Sequence, residues 1–457
     1  MNISINTWLD WARGSLWLTP ATMTLLAVLL AYASTEIDQR YGSLVIEAFP
    51  WVQTTSQAAR SSLSALAGAL ITVSGVVVSI TVVSLSVTAS QFGSRLLRTV
   101  LRDRVTQLTL GGLLASSLYC LLVLSAVRED EAIYVPHLSV ALALVLASFN
   151  LGMLIYFTHN IGSKIQAPVI IHTAAEDLGS AVARLFPEKL GEPAEKEETE
   201  QLKQDLGGPR DLPSFRVETV QQGYIQAIDA PSLFEMAKDQ RLVVRLGYRP
   251  GDFMVKGRTL AEVWQDQEGE ACDHKELADQ IQGAFILSIS RTPVQDVEYA
   301  FNELVEIALR ALSPGINDSF TAITCIDWIT ANLRKVAEGK SPTPYRREDD
   351  NGSVRLIAQP FDFVGLVASA LDPIRRCSTT NLLVSLHLLK ALGTIGESVS
   401  SEEQADALRI RAEIVAETFL GPDTAVFDQQ QVIQEHKRAT AVLARKFPDL
   451  QIRSFET

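Results

Sequence analysis

Four uncharged, strongly apolar stretches dominate the first third of the chain: 14–35, 61–94, 105–127 and 132–163. Each exceeds the roughly 20 residues that cross about 30 Å of hydrocarbon as a helix. Together they predict a four-helix membrane domain over residues 1–163. The first window also fits a signal peptide, with Ala31-Tyr32-Ala33 as a cleavage site. Against cleavage, the segment ahead of it carries Asp10 as well as Arg13, and Trp8, Trp11 and Trp17 suit an interfacial belt. A retained helix is expected.

Loop charges orient these helices. Between windows two and three stand Arg95, Arg98, Arg102 and Arg104 against Asp103; between three and four runs Arg128-Glu129-Asp130-Glu131. Basic loops stay in the cytoplasm, so both termini are expected there.

Window two is rich in small and hydroxylated residues. Ser64, Gly68, Thr72, Gly75, Ser79, Ser86 and Ser90 recur at steps of three, four or seven, close to one helical face. A second row is Thr81, Ser84 and Thr88. Two readings stand: close helix packing through small residues, or a polar stripe lining a water-filled path. Just beyond, Arg95, Arg98 and Arg102 share a face. They read as an interfacial amphipathic turn facing lipid phosphates, or as a cationic ring at the inner mouth of an oligomeric pore. No acidic or basic residue lies inside a window, which argues against a proton-relay pump. Asn150 reads as an interhelical hydrogen-bond partner.

The pattern then changes. Residues 164–213 read as a helical stalk followed by a charged, Gly- and Pro-containing linker from Pro187. Residues 214–270 alternate like strands, in FRVETV, GYIQAID and RLVVRL, with a short helix near Pro231–Gln240. From Thr292, Val294, Val297, Phe301, Leu304, Val305, Ala308 and Leu312 form a helical stripe. The turn Leu312–Asp318 ends that helix and caps the next, on which Phe320, Ile323, Ile326 and Ile329 share a face. Residues 341–353 read as a polar loop, and 402–420 and 425–447 as amphipathic helices. The expected fold class is thus a membrane α-helical domain plus a cytoplasmic α+β domain. The latter comprises a small β-sandwich-like module and then a helical bundle over 271–457.

Charge sharpens that division. Residues 1–165 hold nine basic and eight acidic residues, whereas the rest hold 31 and 45, in a chain of net charge -13. A nucleic-acid partner is not expected. Cys120 lies in a membrane window, and Cys272, Cys325 and Cys377 have no metal-ligand spacing. The chain has no phosphate-binding loop, no HExxH, no CxxC and no GxSxG. Accordingly no enzyme activity, metal or cofactor is expected. Gln295, Asp296, Arg310, Asn317 and Asp318 flank the helix-turn-helix, and they read either as ligand groups that converge or as ordinary caps.

The stretch GYIQAID…RPGDFMVKGRTLAEVW resembles the small β-sandwich of lipoyl and biotinyl domains, but the context of a carrier lysine is absent and Lys256 reads as a turn residue. More extensively, SALAGALITVSGVVVSITVVSLSVTASQFGSRLLR, the GYIQAID stretch and QDVEYAFNELVEIALRALSPGINDSFTAI resemble the bacterial membrane proteins called domain of unknown function 2254. That resemblance implies a bacterial inner-membrane protein with this two-part plan, and supplies no activity.

The expected function is an oligomeric pore or transport protein in the lipid bilayer, a homo-oligomer with window two along the path. The alternative is a membrane-anchored sensor or scaffold whose cytoplasmic domain binds a partner. An enzyme acting on lipid-linked substrates is disfavoured, because no paired acids or metal cluster lie near the inner membrane face.

Overall fold

Apolar length dictates the first elements. A computed structural model of the chain describes residues 17–48, 50–93, 103–128, 134–164, 166–186, 215–265, 273–339, 342–348, 353–422 and 424–455. The chain divides into two units, 1–170 and 171–457.

In the first unit, α1 (Leu18–Ala48), α2 (Ser56–Phe92), α3 (Arg104–Ala126) and α4 (His137–Lys164) are all long and apolar enough to cross a membrane. Thr55 caps α2, accepting from the Ala58 amide, and Asp103 caps α3 through Val105 and Thr106. At 37 residues α2 is about 55 Å long, well beyond the hydrocarbon thickness. Helix α3 is the most enclosed and packs against α1, α2 and α4. Its small residues allow this: a side chain added at Gly111 would strike Met23 and Pro20 of α1, and one at Gly112 would strike Asn150 of α4. Around α3 gather Leu63, Leu70 and Val77 of α2, Ala27 of α1, and Phe157 of α4.

The second unit contains the body of α5 (Ala167–Leu185), whose Gly179 lies close to Asn332 and whose His172 meets Trp328 edge-on. Strands follow: β1 (Phe215–Glu218), β2 (Gly223–Ile228), β3 (Leu242–Leu246), β4 (Phe253–Met254) and β5 (Thr259–Gln265). Helix α6 (Ala230–Asp239) precedes β3, and α7 (His274–Gly283) precedes β6 (Phe285–Ser288). The segment expected to be a polar loop contributes β7 (Tyr345–Arg347), and β8 (Val354–Ile357) follows it. One sheet has the order β1-β5-β3-β8-β7, the other β4-β2-β6. All pairings are antiparallel except β3 with β8. The sheets therefore extend past residue 270, drawing in β6, β7 and β8. Val354 and Leu356 supply apolar residues that the central strands need as neighbours, and Leu356 joins the same core as Val244 and Val263.

The helices α8 (Val297–Ala311), α9 (Ser319–Glu338), α10 (Phe363–Cys377), α11 (Leu382–Gly396), α12 (Glu402–Thr418) and α13 (Val426–Lys446) complete the unit. Their core includes Phe301, Leu304, Ile326, Ile329, Leu388 and Leu408. Ile326 and Ile329 are buried as the pattern predicts, whereas Phe320, expected on the same face, is 74% exposed. It sits in the first turn of α9, beyond the cover of the neighbouring helices.

Candidate functional site

The two faces of α2 differ sharply. Leu63, Ala67, Leu70, Ser74, Val77, Thr81, Ser84 and Thr88 are buried, at alternating steps of four and three. The second row of the sequence pattern, Thr81, Ser84 and Thr88, is therefore part of the buried face. Ser64, Gly68, Thr72, Gly75, Ser79, Ser86 and Ser90 are all exposed. A side chain added at Gly68 or Gly75 would meet nothing within 4 Å, in contrast to Gly111 and Gly112. Three of the exposed hydroxyls bond to carbonyls one turn back: Thr72 to that of Gly68 and Ser79 to that of Gly75, both at 2.9 Å, and Ser90 to that of Val87. Such back-bonding lowers the cost of a hydroxyl away from water. Arg60, one turn before Ser64, is the only charged residue of α2 and is exposed. Arg95, Arg98 and Arg102 lie outside the described residues.

A polar network near one end of the bundle escaped the sequence reading. Asp38 of α1, 4% exposed, accepts hydrogen bonds from the Leu138 and Ser139 amides at 2.9 Å and from the Ser139 hydroxyl at 2.7 Å. It satisfies the free amides that begin α4 and places a negative charge at the positive end of that helix. Alongside, Tyr119 donates to the Ser139 carbonyl at 3.1 Å and shares a 2.9 Å hydrogen bond with Ser34. Nearby, His137 accepts from the Thr54 amide, and Tyr134 donates to the Thr35 carbonyl. Deeper in the bundle, Asn150 donates to the Ser116 hydroxyl at 2.7 Å, an interhelical bond as its position suggested.

In the second unit the five candidate ligand residues separate into two groups. Gln295 and Asp296 stand at the start of α8; Arg310, Asn317 and Asp318 stand at its other end, about 20 Å away along a 15-residue helix. Gln295 clasps the backbone of β2, accepting from the Ile228 amide at 2.9 Å and donating to its carbonyl at 3.2 Å. Asp296 is fully buried. It takes two hydrogen bonds from Arg291, at 2.7 and 2.9 Å, and caps α8 through the Tyr299 amide. Burial opposes the charge of Arg291, but the bonds and charge of Asp296 outweigh it and raise its pKa. Gly251, at φ +96°, must be glycine here, since a side chain would overlap the Asp296 carboxylate. The RPGD turn thus seats against the start of α8, and Arg249 reaches Glu298 at 3.1 Å.

At the far end, Arg310 pairs with Glu306 within α8. Asn317 adopts a left-handed φ of 49° and is exposed. Asp318 caps α9, accepting from the Thr321 hydroxyl at 2.6 Å and its amide at 3.1 Å, and these bonds hold its pKa below the usual carboxylate value. Asn381 caps α11 and donates to the Ser319 hydroxyl, which ties the starts of α9 and α11 together. This tip exposes Ile316, Phe320 and Leu383. Lys256 is an exposed residue in the turn between β4 and β5. Among the described residues no cluster of three His, Cys, Asp or Glu could hold a metal ion.

Four apolar helices followed by a sheet-containing and helical region define a membrane protein with a large C-terminal extension. Residues 13–394 match the model of the family described as "predicted membrane protein", domain of unknown function 2254, and the chain belongs to that family. Similar proteins include uncharacterized proteins of Mycobacterium bovis and Mycobacterium tuberculosis. Each is 27% identical over 442 residues, covering 96% of this chain and 82% of the relative. No solved structure matches the chain.

Proposed function

We propose that the protein is a homo-oligomeric pore or transport protein of the bacterial inner membrane, with α2 lining the path. In this reading it is not an enzyme, both termini are cytoplasmic, and the C-terminal unit, including a sandwich-like pair of sheets, regulates passage. The observation that carries the reading is the exposure of the entire Ser64–Ser90 stripe. Packing within the chain accounts for Gly111 and Gly112 but not for Gly68 and Gly75, which face open space. A helix in contact only with lipid gains nothing from hydroxyls gathered on one face. A second protomer or water is the neighbour that makes use of them. Four helices leave no room for a lumen around a single protomer, so the path runs between protomers. Arg60 at one end of the stripe, and Arg95, Arg98 and Arg102 beyond the other, would favour anions.

The test combines oligomer mass in detergent with ion flux in liposomes. Ser79→Leu and Ser86→Leu should reduce flux and leave folding intact. A monomeric protein, or unchanged flux in both variants, would sink the reading. What would then stand is the membrane-anchored sensor or scaffold, supported by the apolar tip of Ile316, Phe320 and Leu383 as a surface for a protein partner.

A further inference from the structure

A cleft of about 370 Å³ lies between α10 and α12 in the second unit. Apolar side chains form its walls: Val364 from α10, and Ile410 and Ile414, both exposed, from α12. Its polar end is Asp372, Arg375 and Arg411. Arg411 is fully engaged. It donates to both oxygens of Asp372, at 3.0 and 3.2 Å, and to the Ala407 carbonyl at 2.7 Å. This bidentate pair balances the charge of Asp372.

Arg375 is held more loosely, by an ion pair with the same Asp372. Its Nε comes no closer to Asp372 than 3.6 Å, and that nitrogen is buried with no hydrogen-bond partner. The side chain is only 18% exposed. A guanidinium nitrogen held out of water without a hydrogen bond is costly, only partly offset by the loose ion pair with Asp372, and the planar fork of the group matches a carboxylate. Two further acids line the cleft. Asp406 is held by Arg409 at 2.8 and 2.6 Å. Glu403, in the first turn of α12, is exposed at the rim.

The geometry points to a small amphiphilic carboxylate as the occupant of this cleft. Its carboxylate meets Arg375, and a short branched aliphatic body lies on Val364, Ile410 and Ile414. The cleft is half open to solvent, and its volume lies at the lower end of the range of small-molecule sites. Glu403 would favour an ammonium group beside that carboxylate. A branched aliphatic amino acid and the corresponding simple acid therefore share the recognised chemistry, and the test separates them. This assignment stands apart from the pore reading, because nothing in it requires a path through the membrane.

The test is saturation-transfer NMR on the full chain in detergent, with isocaproate and leucine as probes and isocaproamide as the uncharged control. Saturable binding in the millimolar range is expected for at least one of the two carboxylates. Arg375→Gln should weaken it about tenfold or more, the scale of losing one charge-assisted contact. An advantage of leucine that disappears in Glu403→Gln identifies an amino-acid site; equal binding of both probes identifies a site for the simple acid. Three results would overturn the assignment: no saturable binding of either carboxylate, isocaproamide binding as well as isocaproate, or Arg375→Gln without effect. Should Arg375→Gln fail to fold, Ile410→Asp on the exposed wall must abolish binding at an unchanged melting temperature. Retained binding there would equally overturn it.

Discussion

Asp38 in the membrane unit and Asp296 in the C-terminal unit are both buried carboxylates that satisfy the start of a helix. They do so in opposite ways. Asp296 caps the helix that follows it directly and is neutralised by Arg291, five residues earlier. Asp38 caps a helix whose first turn lies 100 residues further along, and takes all three of its bonds from that turn. The first is local chemistry reinforced by a turn, the second a long-range lock between two spanning helices. Free helix amides are answered locally where the sequence supplies a cap, as Thr55 and Asp103 do for α2 and α3, and otherwise by whichever side chain the packing brings to them, as at α4. In the C-terminal unit most helices answer their own: Asp229, Asp273, Asp318, Asp362, Asn381 and Ser401 all cap in this local manner, while α13, which begins after Ala425, has no side-chain cap.

The comparison can be broken most forcefully at Asp296. Asp296→Ala should cost about 3 kcal/mol, because it leaves the largely buried Arg291 with only its longer ion pair to Glu298, at 3.7 Å, and frees an amide of α8. Denaturant unfolding of the purified chain measures this, and a loss below about 1 kcal/mol would show that Arg291 finds water instead. Asp38→Ala should follow at about 3 kcal/mol, from two amides and a hydroxyl left without their acceptor. Its signature is regional: amide exchange should rise at Leu138 and Ser139, while the C-terminal unit keeps its protection. Uniform loss of protection would mean that the two units unfold together.

A milder effect is expected at Asp318, exchanged for Ala at a cost of about 1 kcal/mol, the usual value of a local cap. Because its hydrogen bonds lower the folded-state pKa, this stability is present above the ordinary carboxylate value. It is lost as pH falls through the lowered one. Acid titration of stability should be shallower in Asp318→Ala over that interval, and an unchanged slope would place the cap energy elsewhere. The smallest effect belongs to the exposed stripe. Gly75→Leu should shift the stability of the protomer by less than about 1 kcal/mol, and in the stabilising direction, since leucine is the better helix former and a Cβ there meets nothing within 4 Å. The same exchange at Gly112, against Asn150, should disrupt the bundle. Equal tolerance at both would remove the distinction between packed and open glycines.

Much of this was legible in sequence, for reasons that differ by element. Spanning helices announce themselves because length and the absence of charge are properties of contiguous residues. Helices α8, α12 and α13 were equally clear, since a 3.6-residue stripe is local. Strands β1 to β5 alternate, and so were found. Tyr345-Arg346-Arg347 has no apolar alternation of its own and looks like loop; it is strand β7 because β8 pairs with it. The sequence placed the small residues of α2 close to one face, and periodicity alone cannot say whether such a face is covered. That became visible only when α3 packed on the opposite side. Likewise, Gln295 and Arg310 looked close in the chain as flanks of one motif, yet the rigid α8 holds them about 20 Å apart. What the order of residues determined by itself was the spanning helices, the strands up to β5, the amphipathic helices, the membrane character and the family. The tertiary structure alone decided which side of α2 is open, which helix Asp38 caps and where the Arg375 Nε is buried without a hydrogen bond. Each depends on residues distant in sequence, and no local pattern encodes which of many compatible neighbours packing will bring.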